Sequence, residues 1–517
     1  MPQTLCYFRG ICAIFIVFFV LSSTNFGDAK SNPGIRPNFI LIVTDDQAAD
    51  TLAFMPTLQR FLVGGGTTFA QAFSPTPLCC PARATLLRGQ YAHNHLVKSN
   101  DGTSGGFPQF HVTGDEKSTL ATWLHNEGYR TSLIGKYFNA YPEGLVPPEG
   151  FDFPARDYVP PGWDDWYALI DIPDNKHADP YDMYGYQINH NGNLLRYGNE
   201  PAAYLTDVLS SLAVDFVERA SRDDRPFFLY LAPTAPHLPA TPAPRHIGMF
   251  GDVDAPHDPS FNESDMTDKP TWLRHMPLLT RDKVSRLDRL YRRQAASLLA
   301  VDEMLAKLLD TLRVSGKLDS TYIVFTSDQG LHNGEHRLWR SKLTPYRASN
   351  RIPLLVHGPG VPAGRQVQAL ALLSDIAPTL ADLASVDMPE FVDGRSLTPW
   401  LMAGAAPSHW RKRVLLEFWP RAGFPVDERE EPLHLVIQVP EYHALRSGRY
   451  LYVEYRKAGG NREFELYDLM SDPFELTNLA TTADEALLKS LATRLRELKA
   501  CKARACRVAE VRDFQGK

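Results

Sequence analysis

The chain has 517 residues and a mass of 58.0 kDa, a length that favours two or three domains over one. Hydrophobic residues make up 44%, charged residues 22% and aromatic residues 11%. This composition is typical of globular proteins and excludes a disordered, collagen-like or coiled-coil chain. Lys and Arg number 54 against 60 Asp and Glu, which gives a net charge of −6. Because general nucleic-acid binders carry a basic field, the balance argues against a nucleic-acid partner.

An apolar segment near the N-terminus predicts export. Arg9 precedes an uninterrupted apolar run from Ile11 to Leu21, and the small residues Gly27 and Ala29 follow. The run is shorter than the roughly 20 residues that a membrane-spanning helix needs. We therefore interpret residues 1–29 as a secretory signal peptide, with an uncleaved anchor as the alternative. The expected protein is secreted, periplasmic or lysosomal, without stable membrane insertion.

Two of the six cysteines lie in the predicted signal peptide. Cys501 and Cys506 lie close together near the C-terminus, where an exported chain can join them in a disulfide. Cys79 and Cys80 are adjacent and cannot easily pair with each other. Free thiols are unusual in a large exported protein, so this pair requires a separate explanation.

Four short apolar runs, each followed by polar or charged residues, predict a parallel sheet. They are Asn38–Val43, Thr131–Ile134, Phe227–Leu231 and Tyr322–Phe325. Continuous runs of this length are typical of strands that are buried on both faces. Helical patterns at about 204–218 and 283–313 lie between them. The predicted fold class is α/β, with a large, mainly parallel sheet sandwiched by helices. Because ligands of such sheets bind beyond the carboxyl ends of strands, the polar clusters are expected to share a cleft.

The sequence pattern changes after about residue 385. Val414–Phe418, His434–Val439 and Arg449–Glu454 are predicted strands, and Ala483–Lys499 is a predicted helix. We expect a catalytic domain over residues 36–388 and a smaller C-terminal α+β domain over residues 389–510. The polar stretch from about 251 to 282 has little periodicity and predicts a long surface loop.

Acidic and amide side chains follow the first and the last of the four runs. Asp45 and Asp46 come after Asn38–Val43, and Asp328 and Gln329 come after Tyr322–Phe325. One Asp pair after a strand is more often a helix cap than a ligand set. Two such clusters favour a metal site, because carboxylate and amide oxygens are ligands that suit Ca²⁺ or Mg²⁺.

The strongest local motif is Cys79-Cys80-Pro81-Ala82-Arg83, a C-x-P-x-R string that is followed by Ala84–Arg88 and Gly89. Here the chain resembles the sulfatase family, which has an alkaline-phosphatase-like fold. In that family the first cysteine of the motif is converted to formylglycine, whose hydrate attacks sulfur with one hydroxyl and later expels sulfate with the other. The resemblance implies that a formylglycine-generating enzyme modifies Cys79 during maturation. It also implies that Arg83 holds the catalytic diol and neutralises charge.

The resemblance assigns the acidic clusters to a divalent cation, usually Ca²⁺ and less readily Mg²⁺. The implied ligands are Asp45, Asp46, Cys79, Asp328 and Gln329. The family commonly has Asn where this chain has Gln329, which offers the same amide oxygen on a stem that is one methylene longer.

Three basic residues complete the implied site, namely Lys136, His237 and Lys342. Taken singly, each would normally be a surface charge or a structural histidine. The resemblance implies that they grip the sulfate and the leaving oxygen, with His237 and Lys342 as candidate acids and Lys136 orienting the diol. His332 and His336 follow the metal segment, and the sequence leaves open whether they line the cleft or lie on the surface.

Within the family, the chain is most similar to the N-acetylglucosamine-6-sulfatases and the related extracellular heparan 6-O-endosulfatases. The shared stretches are Leu78–Pro81, Tyr91–His95, Gly135–Tyr137, Pro160–Trp163 and Tyr204–Asp207. The resemblance implies a sulfatase that hydrolyses a sulfate monoester of a sulfated carbohydrate, the 6-O-sulfate of N-acetylglucosamine in a glycosaminoglycan or related glycan. Residues 334–339 look more like sulfatases in general than like this subgroup.

Two alternatives stay open. One is a phosphonate monoester hydrolase or phosphodiesterase, because relatives with the same fold also use the C-x-P-x-R motif. The other is an inactive, sugar-binding pseudo-sulfatase, against which the complete set of motif residues argues. The sequence does not determine the oligomeric state.

Overall fold

The computed structural model describes residues 36–142, 156–171, 179–402, 404, 407–420 and 438–512. The predicted signal peptide lies outside these residues.

The strands form a large mixed sheet, a small four-stranded sheet and one two-stranded ribbon of β9 and β10. The order in the large sheet is β12-β2-β11-β8-β1-β7-β3-β4-β5-β6. Its centre, from β8 to β4, is parallel, which confirms the predicted parallel sheet. Strands β11 and β5 run antiparallel to this centre, and β6 pairs antiparallel with β5. The strands are β1 Asn38–Thr44, β2 Thr67–Phe73, β3 Arg130–Gly135, β4 Asp165–Leu169, β5 Gln187–His190, β6 Asn193–Arg196, β7 Phe227–Ala232, β8 Thr321–Ser327, β9 His332–Asn333, β10 Trp339–Ser341, β11 Leu354–His357, β12 Arg365–Leu372, β13 Arg413–Phe418, β14 Glu441–Ser447, β15 Tyr450–Arg456 and β16 Arg462–Asp468.

Helices cover both faces of the large sheet. Among the described residues, the α-helices of four residues or more are α1 Cys79–Arg88, α2 Ala92–His95, α3 Gly106–Val112, α4 Leu120–Asn126, α5 Leu205–Ser221, α6 Thr271–Arg274, α7 Arg281–Val314, α8 Arg347–Asn350, α9 Ile376–Leu383, α10 Thr398–Leu401, α11 Glu485–Lys499 and α12 Arg504–Val511. Alternate residues of β1 point to opposite layers, because side chains along a strand alternate between faces. Phe39 and Leu41 pack in the layer that contains α1, α4 and α9, and Ile40 and Ile42 pack with α5 and α7. This sandwich is the predicted α/β architecture.

The smaller C-terminal domain has its own antiparallel sheet, in the order β13-β14-β15-β16. Helix α11 packs on this sheet through Leu491, Leu495 and Leu498. The predicted disulfide between Cys501 and Cys506 is present and leads into α12. The domain limits predicted at residues 388 and 389 remain predictions.

Two expectations for local structure need correction. The strand predicted at His434–Val439 is wrong in its described part, because the strand begins only at Glu441; residues 434–437 lie outside the described residues. The stretch 251–282 is largely irregular, as predicted, but it is more than a surface loop. Its residues Glu263 and Lys269 are buried and form an ion pair of 3.0 Å.

Among the described residues, no helix combines the length and the apolar character that crossing a bilayer requires.

A buried ion network joins the two sheets. Arg411, just before β13, donates two hydrogen bonds of 2.6 Å to the carboxylate of Asp375, just before α9. Its Nε lies 3.1 Å from a carboxylate oxygen of Glu510 in α12. Tyr91, which follows α1, donates a hydrogen bond of 2.6 Å to the other oxygen of Glu510. Because these charges are removed from water, each depends on its partners.

We expect Arg411→Ala to lower the free energy of unfolding by about 3–5 kcal/mol, because it leaves Asp375 charged, buried and without its main partner. Urea denaturation followed by circular dichroism measures the change. Arg449→Ala is the control, since Arg449 makes a comparable contact with Asp468 at the surface and should matter far less. Equal effects of the two substitutions would contradict the assignment of the network as a domain junction.

Candidate active site

The register of the sheet brings the two acidic clusters together. Strands β1 and β8 pair in parallel with Thr44 opposite Ser327, so Asp45 and Asp328 leave neighbouring strands at the same edge. The backbone of Asp46 has φ 59°, and its N–H donates to Asp328 Oδ1 at 3.1 Å. All three carboxylates are completely buried.

Cys79 is the first residue of α1, and its side chain faces these clusters. Its Sγ lies 3.7 Å from Asp45 Oδ1, 3.2 Å from Gln329 Nε2 and 3.5 Å from Lys342 Nζ. In a modified chain this sulfur position would be taken by an oxygen of formylglycine. Cys80 points elsewhere, with its Sγ 3.2 Å from Asn139 Oδ1. The structure therefore shows which of the two cysteines faces the acidic clusters. From the sequence, only the position within the C-x-P-x-R motif distinguishes them.

Lys136 follows β3 and reaches the acids because the end of β3 packs tightly against β7 at Gly135. Gly135 has φ 113°, and a Cβ at this position would lie 2.1 Å from the carbonyl oxygen of Ala232. Only glycine fits such an approach without displacing backbone. The Nζ atom of Lys136 then lies 2.6 Å from Asp45 Oδ2.

Arg83 lies one turn after Cys79 on the same face of α1. Its Nε and Nη2 lie 3.0 Å and 2.9 Å from Asp328 Oδ2, and its Nη1 donates to the carbonyl oxygen of Lys136 at 3.0 Å. The guanidinium thus links α1 to the ends of β8 and β3. Its contacts are with these groups, and its predicted role toward the diol remains a prediction.

Lys342 and His237 both approach Asp46. Lys342 Nζ lies 3.1 Å and 2.9 Å from the two carboxylate oxygens of Asp46. His237 Nε2 lies 3.5 Å from Asp46 Oδ2, and His237 Nδ1 lies 2.7 Å from the carbonyl oxygen of Leu238. Because a carbonyl only accepts, Nδ1 carries a proton and Nε2 is the nitrogen that faces the acids.

The electrostatics of the site are set by opposing buried charges. Burial alone would raise the pKa of Asp45, but the cations Lys136, His237 and Arg83 outweigh it and hold this pKa below its usual range. Burial and the charge of Asp45 raise the pKa of Asp328 to about 7, although Arg83 opposes them. Crowded carboxylates of this kind favour binding of an additional cation.

The thiol of Cys79 is a poor nucleophile in this environment. Burial raises its pKa to about 11, although Lys136 and Lys342 act in the opposite direction. Because the thiolate is the reactive form, this raised pKa disfavours direct attack by the unmodified thiol. This property fits a residue that acts only after modification.

The donor set fits a divalent cation. One ligand atom each of Asp45, Asp46 and Cys79 lies within 4.8 Å of the others. Among the described residues, Gln329 Oε1 is a buried oxygen without a hydrogen-bond partner, while its amide nitrogen donates to Asp46. Hard oxygen donors of this kind suit Ca²⁺ or Mg²⁺. The longer side chain of Gln329 therefore still brings its amide to the acids.

The site's neighbours include residues that the sequence left open or did not reveal. His332 and His336 are buried, which excludes a surface role; they contact Thr344 Oγ1 and Glu263 Oε2, each at 2.7 Å. Tyr181 contacts Lys136 and His237 through its ring. It lies in a stretch of sequence without a motif, so no signal in the sequence identifies it.

The mainly parallel sheet carries buried acids, basic residues and a helix-borne cysteine at its carboxyl edge, where ligands of α/β enzymes bind. Residues 37–386 match the Sulfatase family, and residues 334–501 match the C-terminal region of N-sulphoglucosamine sulphohydrolase. Human N-acetylglucosamine-6-sulfatase is 34% identical over 499 residues, which are 92% of this chain and 87% of that protein. The extracellular sulfatase SULF-1 homolog of Drosophila melanogaster is 35% identical over 398 residues, which are 76% of this chain. The match covers 33% of that protein, so the chain spans about a third of this relative.

Solved structures agree on the fold. A protein in complex with its substrate D-glucosamine-2-N,6-O-disulfate superposes with a TM-score of 0.70 at 24% identity, over 92% of this chain and 99% of the other. The phosphonate monoester hydrolase of Agrobacterium radiobacter superposes with a TM-score of 0.67 at 24% identity, over 90% and 96%.

The chain therefore belongs to the sulfatase family and is a sulfuric ester hydrolase. Members of this family generally use formylglycine and a divalent metal ion.

We expect a divalent cation to raise the melting temperature of metal-free protein, because the ligand set exists only in the folded state. At a free concentration one hundred times Kd the stabilisation is about 2.7 kcal/mol. Differential scanning calorimetry measures the shift. Asp328→Asn should reduce it, whereas Asp302→Asn, which alters a buried carboxylate that binds backbone N–H groups elsewhere, should keep it. Equal shifts in both variants would contradict the ligand assignment.

Proposed function

We propose that this protein is an exported sulfatase that removes the 6-O-sulfate of N-acetylglucosamine in a glycosaminoglycan or related glycan. In this proposal Cys79 is converted to formylglycine by a formylglycine-generating enzyme, and Ca²⁺ is the cation. The observation that carries the proposal is the position of Cys79 Sγ, within 3.7 Å of Asp45, Gln329 and Lys342. Export by residues 1–29 and a catalytic domain over residues 36–388, followed by a smaller domain over 389–510, belong to the same proposal.

The bound groups would supply the nucleophile and its activation. Formylglycine offers a diol at Cys79, and the cation lowers the pKa of a hydroxyl and polarises an oxygen of the ester. The other requirements fall to side chains. Lys136, Lys342 and Arg83 balance the three carboxylates, so the divalent cation leaves the site positive and suited to an anionic ester.

Proton donation to the leaving oxygen is assigned to His237 and Lys342. The alkoxide of a sugar is a poor leaving group and needs a proton as the sulfur–oxygen bond breaks. His237 holds its Nδ1 proton against Leu238, which leaves Nε2 to carry the transferable proton. Lys342 Nζ lies 3.5 Å from Cys79 Sγ and is therefore close to the transferred group.

The choice of sugar and cation follows from the relatives and the donors. Human N-acetylglucosamine-6-sulfatase covers nearly the whole chain at 34% identity, which supports a 6-sulfated amino sugar. Ca²⁺ is preferred over Mg²⁺ because it accepts a larger and less regular set of oxygens, including an amide on a long stem such as Gln329.

We expect the protein, produced together with a formylglycine-generating enzyme, to release sulfate from an oligosaccharide that ends in N-acetylglucosamine 6-sulfate. Cys79→Ala should retain the fold and lose turnover, because alanine cannot be converted to formylglycine and offers no nucleophile. Cys80→Ala is the matched control and should keep activity of the same order, since its Sγ faces Asn139. Ion chromatography of released sulfate and circular dichroism provide the measurements.

The same assay separates the alternatives. Activity on an aryl sulfate alone would retain the sulfatase and exclude the sugar assignment. A phosphonate monoester hydrolysed much faster than a matched sulfate ester would favour the second candidate, for which the shared fold with the Agrobacterium radiobacter enzyme is the supporting observation. Full activity of Cys79→Ala would refute the nucleophile.

Removal of divalent cations should suppress turnover, and Ca²⁺ should restore it more fully than Mg²⁺. The reason is that Asp45, Asp46 and Asp328 would hold the cation beside Cys79, where it would polarise the ester and add the positive charge that an anionic substrate needs. Rates are measured after chelation, with the residual metal determined by mass spectrometry. Unchanged turnover in protein shown to be metal-free would overturn the metal assignment.

A further inference from the structure

Tyr181 is a buried tyrosine whose ring contacts two side chains of the proposed active site, His237 and Lys136. Its ring centroid lies 4.2 Å from that of His237, at an interplanar angle of 34°. Lys136 Nζ lies 5.0 Å from the same centroid. Only 2% of the residue is exposed, so both contacts are shielded from water. Attraction between a ring and a cation is stronger when the pair is removed from water.

Hydrogen bonds fix both the backbone and the hydroxyl of Tyr181. The backbone N–H of Tyr181 donates to Asp179 Oδ1 at 2.9 Å, which fixes the start of the residue. Its hydroxyl accepts a hydrogen bond of 3.1 Å from Asn139 Nδ2 and donates one of 3.4 Å to Asp171 Oδ2. Asn139 and Lys136 both follow strand β3. The hydrogen bond from Asn139 therefore fixes the Tyr181 ring to the segment that also carries Lys136.

His237 and Lys136 depend on this ring to different degrees. Lys136 has a strong second contact, the 2.6 Å ion pair with Asp45. His237 is held by the Leu238 carbonyl through one nitrogen and lies a longer 3.5 Å from Asp46 through the other. A hydrogen bond to one nitrogen of an imidazole leaves the plane of the ring free to tilt. The ring of Tyr181, which packs against His237 at 4.2 Å between centroids, restricts that freedom.

We infer that Tyr181 is a positioning residue that holds the His237 imidazole in the orientation needed to protonate the leaving oxygen. This inference rests on the proposed function. In this inference Tyr181 acts through the face of its ring, and its hydroxyl anchors the ring. A small displacement of a proton donor costs rate strongly, by up to about 100-fold for 1 Å.

The inference is tested by replacing the ring and comparing two substrates that differ in their leaving groups. Tyr181→Leu and Tyr181→Met remove the ring, and Met fills more of the vacated volume should the Leu variant fail to fold. Tyr181→Phe keeps the ring and removes the hydroxyl. The substrates are N-acetylglucosamine 6-sulfate, whose alkoxide needs a proton, and 4-nitrophenyl sulfate, whose phenolate leaves with little help. Rates are expressed per formylglycine, which is quantified by peptide mass spectrometry.

We expect the ring-less variants to lose about 10- to 100-fold in kcat on the sugar sulfate and much less on the aryl sulfate, with KM little changed. Tyr181→Phe should restore the wild-type ratio of the two rates. Tyr186→Leu is the matched control, because Tyr186 is equally buried and stacks on Tyr197 away from the site; it should leave the ratio unchanged.

Equal losses on both substrates in the ring-less variants would show a merely structural role and overturn the inference, while the proposed function would stand. A Phe variant as impaired as the Met variant would also overturn it, because the hydroxyl and not the ring face would then matter. A wild-type protein that carries formylglycine and hydrolyses neither sulfate would remove the proposed function, and this inference with it.

Discussion

Three carboxylates buried side by side are the constraint on which the site depends. Asp45, Asp46 and Asp328 leave the ends of β1 and β8, and no water reaches them to screen their charge. Buried ions of one sign are tolerated only when opposite charges lie in contact. The cations that meet this requirement come from β3, α1 and the segment after β10, so charge balance ties distant parts of the chain to one edge of the sheet.

The same constraint explains why the site suits an anionic ester. Lys136, Lys342 and Arg83 match the three acids in number, so the proposed divalent cation would make the site positive and suited to a sulfate group. A lone thiol cannot use this field, because burial keeps Cys79 protonated. In the proposed mechanism, conversion of Cys79 to formylglycine would supply an oxygen nucleophile that a divalent cation could activate.

The sequence predicts those parts of the fold whose signal is local. Strands β1 and β8 are buried on both faces and appear as unbroken apolar runs, and the acids directly follow them. Strand β2 goes unnoticed because Thr67, Thr68 and Gln71 interrupt its apolar residues. The contact of Tyr181 with His237 cannot be predicted from the sequence for a different reason, because it depends on tertiary packing and has no local motif. The resemblance to sulfatases supplied the roles, while the structure supplied the contacts.

The most direct test of the central claim is the mass of the peptide that contains Cys79, measured in samples with graded co-production of a formylglycine-generating enzyme. We expect an aldehyde at Cys79 and an unchanged thiol at Cys80, with sulfate release proportional to the converted fraction. Sulfate release at full rate from protein in which Cys79 is entirely unmodified would contradict it.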